Sequence, residues 1–194
     1  MRIISGKLKG KSIKFLKNSI TRPLKDSVKE NIFNILNHSN LINTKIEKAN
    51  ILDLYSGIGS FGLECISRGA KKVTFVEQDK DTSNLLKKNL IKLSTLNQAT
   101  IINDKIKNIF IKKDKEKYNI FFLDPPFADK EFIINLSLIY KNKIYKKKHI
   151  IIIHRERKTN DALSYPFETL ITKQYGRSKI IFGIFNWVNF LCKF

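Results

Sequence analysis

Acidic residues are scarce in this chain. Only 17 Asp and Glu stand against 37 Lys and Arg, a formal net charge of +20. A surplus of that size attracts polyanions, and nucleic acid is the usual one. A Lys-, Ile- and Asn-heavy composition is also what an A/T-rich genome imposes, so charge alone does not decide the partner. Cysteine is rarer still. Cys65 and Cys192 show neither metal-ligand spacing nor a disulfide framework, which fits a reduced, cytoplasmic setting. Long apolar runs are missing as well: the stretch 180–192 is shorter than the roughly 20 residues of a membrane span and is broken by Asn186 and Asn189. The N-terminus lacks the apolar segment of a secretory signal. His38, His149 and His154 have no carboxylate or cysteine partner at metal spacing, so no metal is expected. No His–Ser or His–Cys pairing suggests a nucleophile. There is no internal repeat and no long linker, and a monomer is the default.

What is present is 194 residues with 42% hydrophobic content, enough for a packed domain. The first 48 residues form a basic extension. "RIISGKLKGKSIKFL" reads as a hairpin of two extended pieces. Lys7, Lys9 and Lys11 would then share one strand face and track phosphates. Ser27 and Glu30 have capping-box spacing, and Val28, Ile32, Ile35 and Leu36 repeat on one helical face. Arg22, before Pro23, is a candidate RNA contact.

From residue 49 onward strands and helices alternate. "NILDLY", "KVTFVE", "TIIN", "YNIFFL" and "HIIIIH" are apolar runs, separated by helical patterns in "SFGLECISRGA", "DTSNLLKKNLIKL" and "KEFIINLSLIYK". Such alternation implies a parallel sheet with helices on both faces. Two strand-like segments around "QYGRSKIIF" would add an antiparallel strand. The charge runs 112–118 and 145–149 read as solvated, on the face away from the site.

"ILDLYSGIGSFGLE" sets Asp53 at a strand end and follows it with Gly57, Gly59 and Gly62 before a helix. Glycines there allow a tight turn and a close backbone approach to a ligand. Glu77, twenty residues after Gly57, ends the next strand, where an acid can bind a ribose diol. A nucleoside cofactor at the sheet's carboxyl edge follows. Asp53 would repel a dinucleotide's pyrophosphate but attract the ammonium and sulfonium of S-adenosyl-L-methionine. Asp104, after the third strand, is placed either to receive an adenine amino group or to cap a helix.

"FFLDPPF" (121–127) ends a buried strand abruptly. Two prolines supply no N–H donors, and the strand should lie beside the first, where strand order reverses and such sheets bind ligands. Asp124 and the carbonyl of Pro125 can each accept an N–H of a conjugated amine, which is a poor nucleophile until oriented. Pro126 stiffens the turn, and Phe127 offers a face on which a base can stack.

These motifs resemble the [D/N]-P-P-[F/Y/W] signature of amino-methyltransferases acting on nucleobases or glutamine. Nearly end to end the chain resembles the RsmD family, through "RIISGKLKGK", "TRPLKDSVKENIFNIL", "LDLYSGIGSFGLECISRGA", "VEQD", "LDPPF" and "KQYGRSKI". The resemblance implies a Rossmann-like seven-stranded methyltransferase sheet, parallel with one antiparallel strand. It also implies S-adenosyl-L-methionine as methyl donor and N2 of a guanine in 16S rRNA of the small ribosomal subunit as acceptor. Two residues depart from the family pattern. Lys29 stands where Arg is usual, which would turn a bidentate phosphate clamp into a point charge. His154 stands where an acid is frequent. The competing readings are an N6-adenine methyltransferase, a non-catalytic RNA-binding assembly factor and an NAD-linked oxidoreductase.

Overall fold

The computed structural model describes residues 1–15, 24–110 and 116–186. Arg22 and most of the 112–118 charge run lie outside them. After helix α1 (Asp26–His38), strands and helices alternate through β1 (Asn50–Leu54), α2 (Ser60–Ser67), β2 (Lys72–Val76), α3 (Lys80–Lys92) and β3 (Ala99–Ile102). They continue with β4 (Tyr118–Leu123), α4 (Phe132–Lys141), β5 (Tyr145–Glu156), β6 (Phe167–Tyr175) and β7 (Ser178–Phe185), and two short 3-10 turns, Leu96–Gln98 and Ile106–Phe110, flank β3. The sheet has seven strands in the order β3-β2-β1-β4-β5-β7-β6. β1 to β5 run parallel, and β7 lies antiparallel between β5 and β6. This is the Rossmann-like methyltransferase sheet expected from the motifs.

The apolar runs behave as two-faced strands. In β5, Ile150 and Ile152 join one core while Ile151 and Ile153 join the other. β4 alternates likewise, Ile120 and Phe122 against Phe121 and Leu123. The first core is built with α1, α2 and α3, the second with α4 and Phe110. Phe61 of α2 stacks on Phe122 at 4.0 Å between ring centroids. Because β1 is flanked by β2 and β4, strand order reverses at β1, and a crevice opens beyond its carboxyl end.

The N-terminal segment departs from expectation. Arg2 and Ser12 form a single bridge, and residues 5–10 turn rather than extend. Gly6 and Gly10 sit at φ +80° and +82°; residues 1–3 pair antiparallel with 11–13 around this turn, Ile3 N–H on Lys11 O at 2.9 Å and Ile13 N–H on Met1 O at 3.0 Å, and α2 holds the turn itself. The carboxylate of Glu64 accepts Ile4 N–H at 2.7 Å and Ser5 N–H at 2.9 Å, and Ser67 takes Leu8 N–H at 2.9 Å. Lys7, Lys9 and Lys11 therefore do not share a strand face. The capping box also fails. α1 starts at Asp26, one residue before Ser27, and its N-cap is Lys25 with no side-chain bond. The run 145–149 starts β5, with Lys147 and Lys148 exposed as expected of a solvated charge run and Tyr145 and His149 buried.

Candidate active site

The chain leaves β1 through left-handed backbone at Tyr55 (φ +59°), Gly57 (+54°) and Gly59 (+84°). The three glycines of the turn divide their work. A Cβ on Gly57 would meet nothing within 4 Å, so this glycine lines open space. A Cβ on Gly59 would lie 2.4 Å from Leu86, and one on Gly62 2.2 Å from the Phe75 ring. Gly59 and Gly62 thus let the turn and α2 seat against α3 and β2, and Gly57 faces the crevice.

Glu77, just past β2, is held by two backbone donors: Gly57 N–H at 2.8 Å on Oε2 and Asp79 N–H at 2.8 Å on Oε1. Each oxygen keeps a further lone pair for a hydroxyl donor. Asp53 is 1% exposed and accepts Gly62 N–H at 3.0 Å. Burial pushes its carboxyl well above the ordinary carboxylate range; the Gly62 N–H opposes this, and the charges of Asp124 and Glu77 add to it. Three acids thus converge at one edge of a strongly basic protein, an environment that favours a cation.

The proton-linked consequence has a definite sign. The native state holds the Asp53 proton more tightly than the unfolded chain, so stability falls as pH rises from the ordinary carboxylate value toward the raised native one. Asp53→Asn keeps an acceptor for Gly62 N–H and should flatten that segment of the stability–pH curve. Denaturant melts at a series of pH values check this.

Asp124 follows β4 directly, and its N–H donates to Leu54 O at 3.4 Å, which seats it beside the exit of β1. Its Oδ1 lies 2.7 Å from His154 Nδ1, and His154 Nε2 lies 2.9 Å from Ser178 Oγ. The Phe127 ring meets the His154 ring edge-on, at 5.9 Å and 81°. Arg155, buried in β5, donates to Pro126 O at 3.1 Å and to Phe127 O at 3.0 Å. Asp161 accepts from Arg155 Nε and Nη2 at 3.1 and 3.0 Å, and the guanidinium lies over the Phe132 ring at 4.4 Å. Among the described residues the Pro125 carbonyl accepts no hydrogen bond.

Other expected residues are placed differently. Asp104 is exposed, and its Oδ1 accepts Lys105 N–H at 2.7 Å and Asn108 Nδ2 at 2.6 Å. This is closer to the turn-capping alternative, although it leaves the residue near the end of β3. Its neighbour Asn103 ties that loop to the end of β2 by donating to Glu77 O at 2.8 Å. Lys29 is fully buried, its Nζ donating to Arg2 O at 3.0 Å and lying 3.9 Å from Glu64. Burial pushes its pKa down while Glu64 and Asp26 oppose the shift. An ammonium committed beneath α2 does not reach an outer RNA phosphate, so Lys29 is a packing cation. Lys7 Nζ donates to Gln98 at 2.8 Å, whereas Lys9 and Lys11 are exposed.

The family described as Conserved hypothetical protein 95 matches residues 1–184. The Ribosomal RNA small subunit methyltransferase D of Buchnera aphidicola (subsp. Baizongia pistaciae) is 34% identical over 189 residues, covering 97% of this chain and 93% of that protein. The enzyme of the same name from Haemophilus influenzae is 37% identical over 160 residues, 81% of this chain and 79% of that one. This chain belongs to the RsmD family. The solved structure of the Escherichia coli protein yhhF aligns with a TM-score of 0.80 at 26% identity, over 94% of this chain and 96% of that one.

Within this RsmD-family site, Arg155, Asp161 and Asn103 are not foreseen from the sequence, and His154 is noted there only as a departure from the family pattern. A signal for His154 was present. "FFL" is followed by Asp124 and "IIII" by His154, so aligning the two apolar runs of adjacent parallel strands at their carboxyl ends sets these residues side by side. The register bears this out, with Leu123 opposite Ile153. Arg155 and Asp161 carry no such signal, because their meeting depends on the path of the chain after β5.

Proposed function

We propose that this chain transfers the methyl group of S-adenosyl-L-methionine to the exocyclic N2 amine of a guanine in 16S rRNA, a guanine-966-type site, in an assembled or assembling small subunit. One observation carries the reading: Asp124 hydrogen-bonds the end of β1, so the amine acceptor and the Gly57–Glu77 crevice share one edge. The names of the relatives supply the RNA class.

The donor molecule fits the residues. Its diol suits Glu77, and Gly57 leaves room for close approach. When bound it supplies an electrophilic methyl group on a sulfonium. The chain's own part is orientation. Asp124 and the Pro125 carbonyl accept the two N–H groups of the amine and so aim the nitrogen lone pair, and Phe127 presents its face to the flipped base. Positioning of this sort lowers a barrier by up to about 7–11 kcal/mol in well-aligned systems. The exposed Lys9 and Lys11, with Arg22, supply phosphate contacts.

Incubation of a mixture of small and large ribosomal subunits with methyl-labelled donor should put label into small-subunit RNA. Label confined to large-subunit RNA or to protein would overturn the reading. Glu77→Ala should weaken donor binding by about 1–3 kcal/mol, read by calorimetric titration; an unaltered dissociation constant would remove Glu77 from the cofactor site.

A further inference from the structure

We propose that His154 is a positioning residue for methyl transfer, fixing the rotation of the Asp124 carboxylate through Nδ1–H while Ser178 anchors the ring at Nε2. The inference rests on the proposed reading of Asp124 as the amine acceptor. His154 is 7% exposed at the end of β5, and continuing the Leu123–Ile153 register by one residue sets it level with Asp124. A carboxylate only accepts hydrogen bonds, so at 2.7 Å from Oδ1 the Nδ1 atom is the donor. Nε2, 2.9 Å from Ser178 Oγ, then accepts the serine hydroxyl hydrogen. The opposite tautomer would set a bare Nδ1 lone pair against Oδ1 and is disfavoured by repulsion.

The consequence is geometric. An aspartate on a turn swings about χ1 and χ2, and its carboxylate can present either oxygen to the substrate. With Oδ1 committed to His154, Oδ2 is the oxygen left for the amine, in a fixed plane. Ser178 begins β7, the antiparallel strand, and pairs with Glu156 of β5. The alignment of the acceptor therefore depends on the antiparallel strand as well as on β4 and β5.

His154 also touches Phe127 edge-on, so a packing role must be separated from a donor role. Two substitutions do this. His154→Asn keeps an N–H at nearly the Nδ1 position but loses the ring. His154→Phe keeps the ring edge against Phe127 but loses the donor. With small subunits as substrate, His154→Phe should lower kcat about 10- to 100-fold, with KM for RNA and the dissociation constant for S-adenosylhomocysteine within about twofold of wild type. His154→Asn should recover most of that loss. Ser178→Ala should lower kcat by a smaller factor in the same direction. Equal losses in the Asn and Phe variants, or a Phe variant more active than the Asn variant, would overturn the proposal.

Nitrogen-15 NMR of the histidine ring in the unliganded protein tests the same linkage without turnover. A protonated Nδ1 and bare Nε2 are expected in wild type. A ring protonated on Nε2 alone in wild type would also overturn the proposal. If wild type labels no small-subunit RNA while the ring shows the expected tautomer, the RNA reading fails and the His154–Asp124 linkage stands.

Discussion

Asp124→Asn should lower methyl transfer by roughly 10²–10⁴-fold and leave binding of S-adenosylhomocysteine within about twofold. The asymmetry comes from the geometry. Asp124 is anchored by its N–H on Leu54 O and by His154 on Oδ1, and neither contact involves Gly57 or Glu77, the residues proposed to hold the donor. Asparagine preserves the shape but replaces one acceptor oxygen with an NH₂, which presents hydrogens either to the amine or to His154 Nδ1–H. The amine then loses its alignment, or the His154 contact becomes repulsive. Retention of wild-type turnover would remove Asp124 from the mechanism, and a matching loss of cofactor binding would make its role one of cofactor retention.

Arg155→Met should give the largest effect on stability. The buried guanidinium joins three elements: the Pro126 and Phe127 carbonyls, Asp161 and the Phe132 ring. Burial alone would raise the pKa of Asp161, but hydrogen bonds from Arg155 and Thr159, with the charges of Arg155 and Lys179, outweigh it and hold the carboxyl below its usual value. Removing Arg155 leaves Asp161 buried without its main partner, and breaking such a pair costs about 3–5 kcal/mol. For a chain of this size that lowers Tm on the order of 10 °C. Arg155→Met combined with Asp161→Leu should be less destabilised than Arg155→Met alone, because the uncompensated charge goes with its partner. The Phe127 carbonyl stays unpaired in both and Pro126 O keeps only Asp129 N–H, so neither variant should regain full turnover. A Tm equal to wild type in the single variant would show that the turn after Asp124 is held by other contacts.

The sheet was legible because its strands are buried on both faces. "YNIFFL" and "HIIIIH" have no polar alternation, and only a covered parallel sheet accommodates such runs. The glycine turn and Glu77 were legible because their chemistry depends on local spacing, and 20 residues from Gly57 to Glu77 is one strand–helix–strand unit. Lys29 was misread for a different reason. Its position on α1 is set by that helix's own pattern, but its burial is set by Glu64 on α2, 35 residues away, and no periodicity encodes that meeting. The strand reading of Lys7, Lys9 and Lys11 failed in the same manner, since Glu64 and Ser67 hold residues 4–8 as a turn on α2. His154 falls between these cases. It is a departure from the family pattern, yet aligning the apolar runs that precede Asp124 and His154 already sets the two residues side by side.

The nature of the methylated nucleoside tests the central claim most directly. Small ribosomal subunits lacking the endogenous modification would be incubated with this protein and methyl-labelled S-adenosyl-L-methionine, and the RNA digested and resolved by mass. The account predicts label in N2-methylguanosine, absent with Asp124→Asn. Label in N6-methyladenosine, or none while the donor is bound, would contradict it.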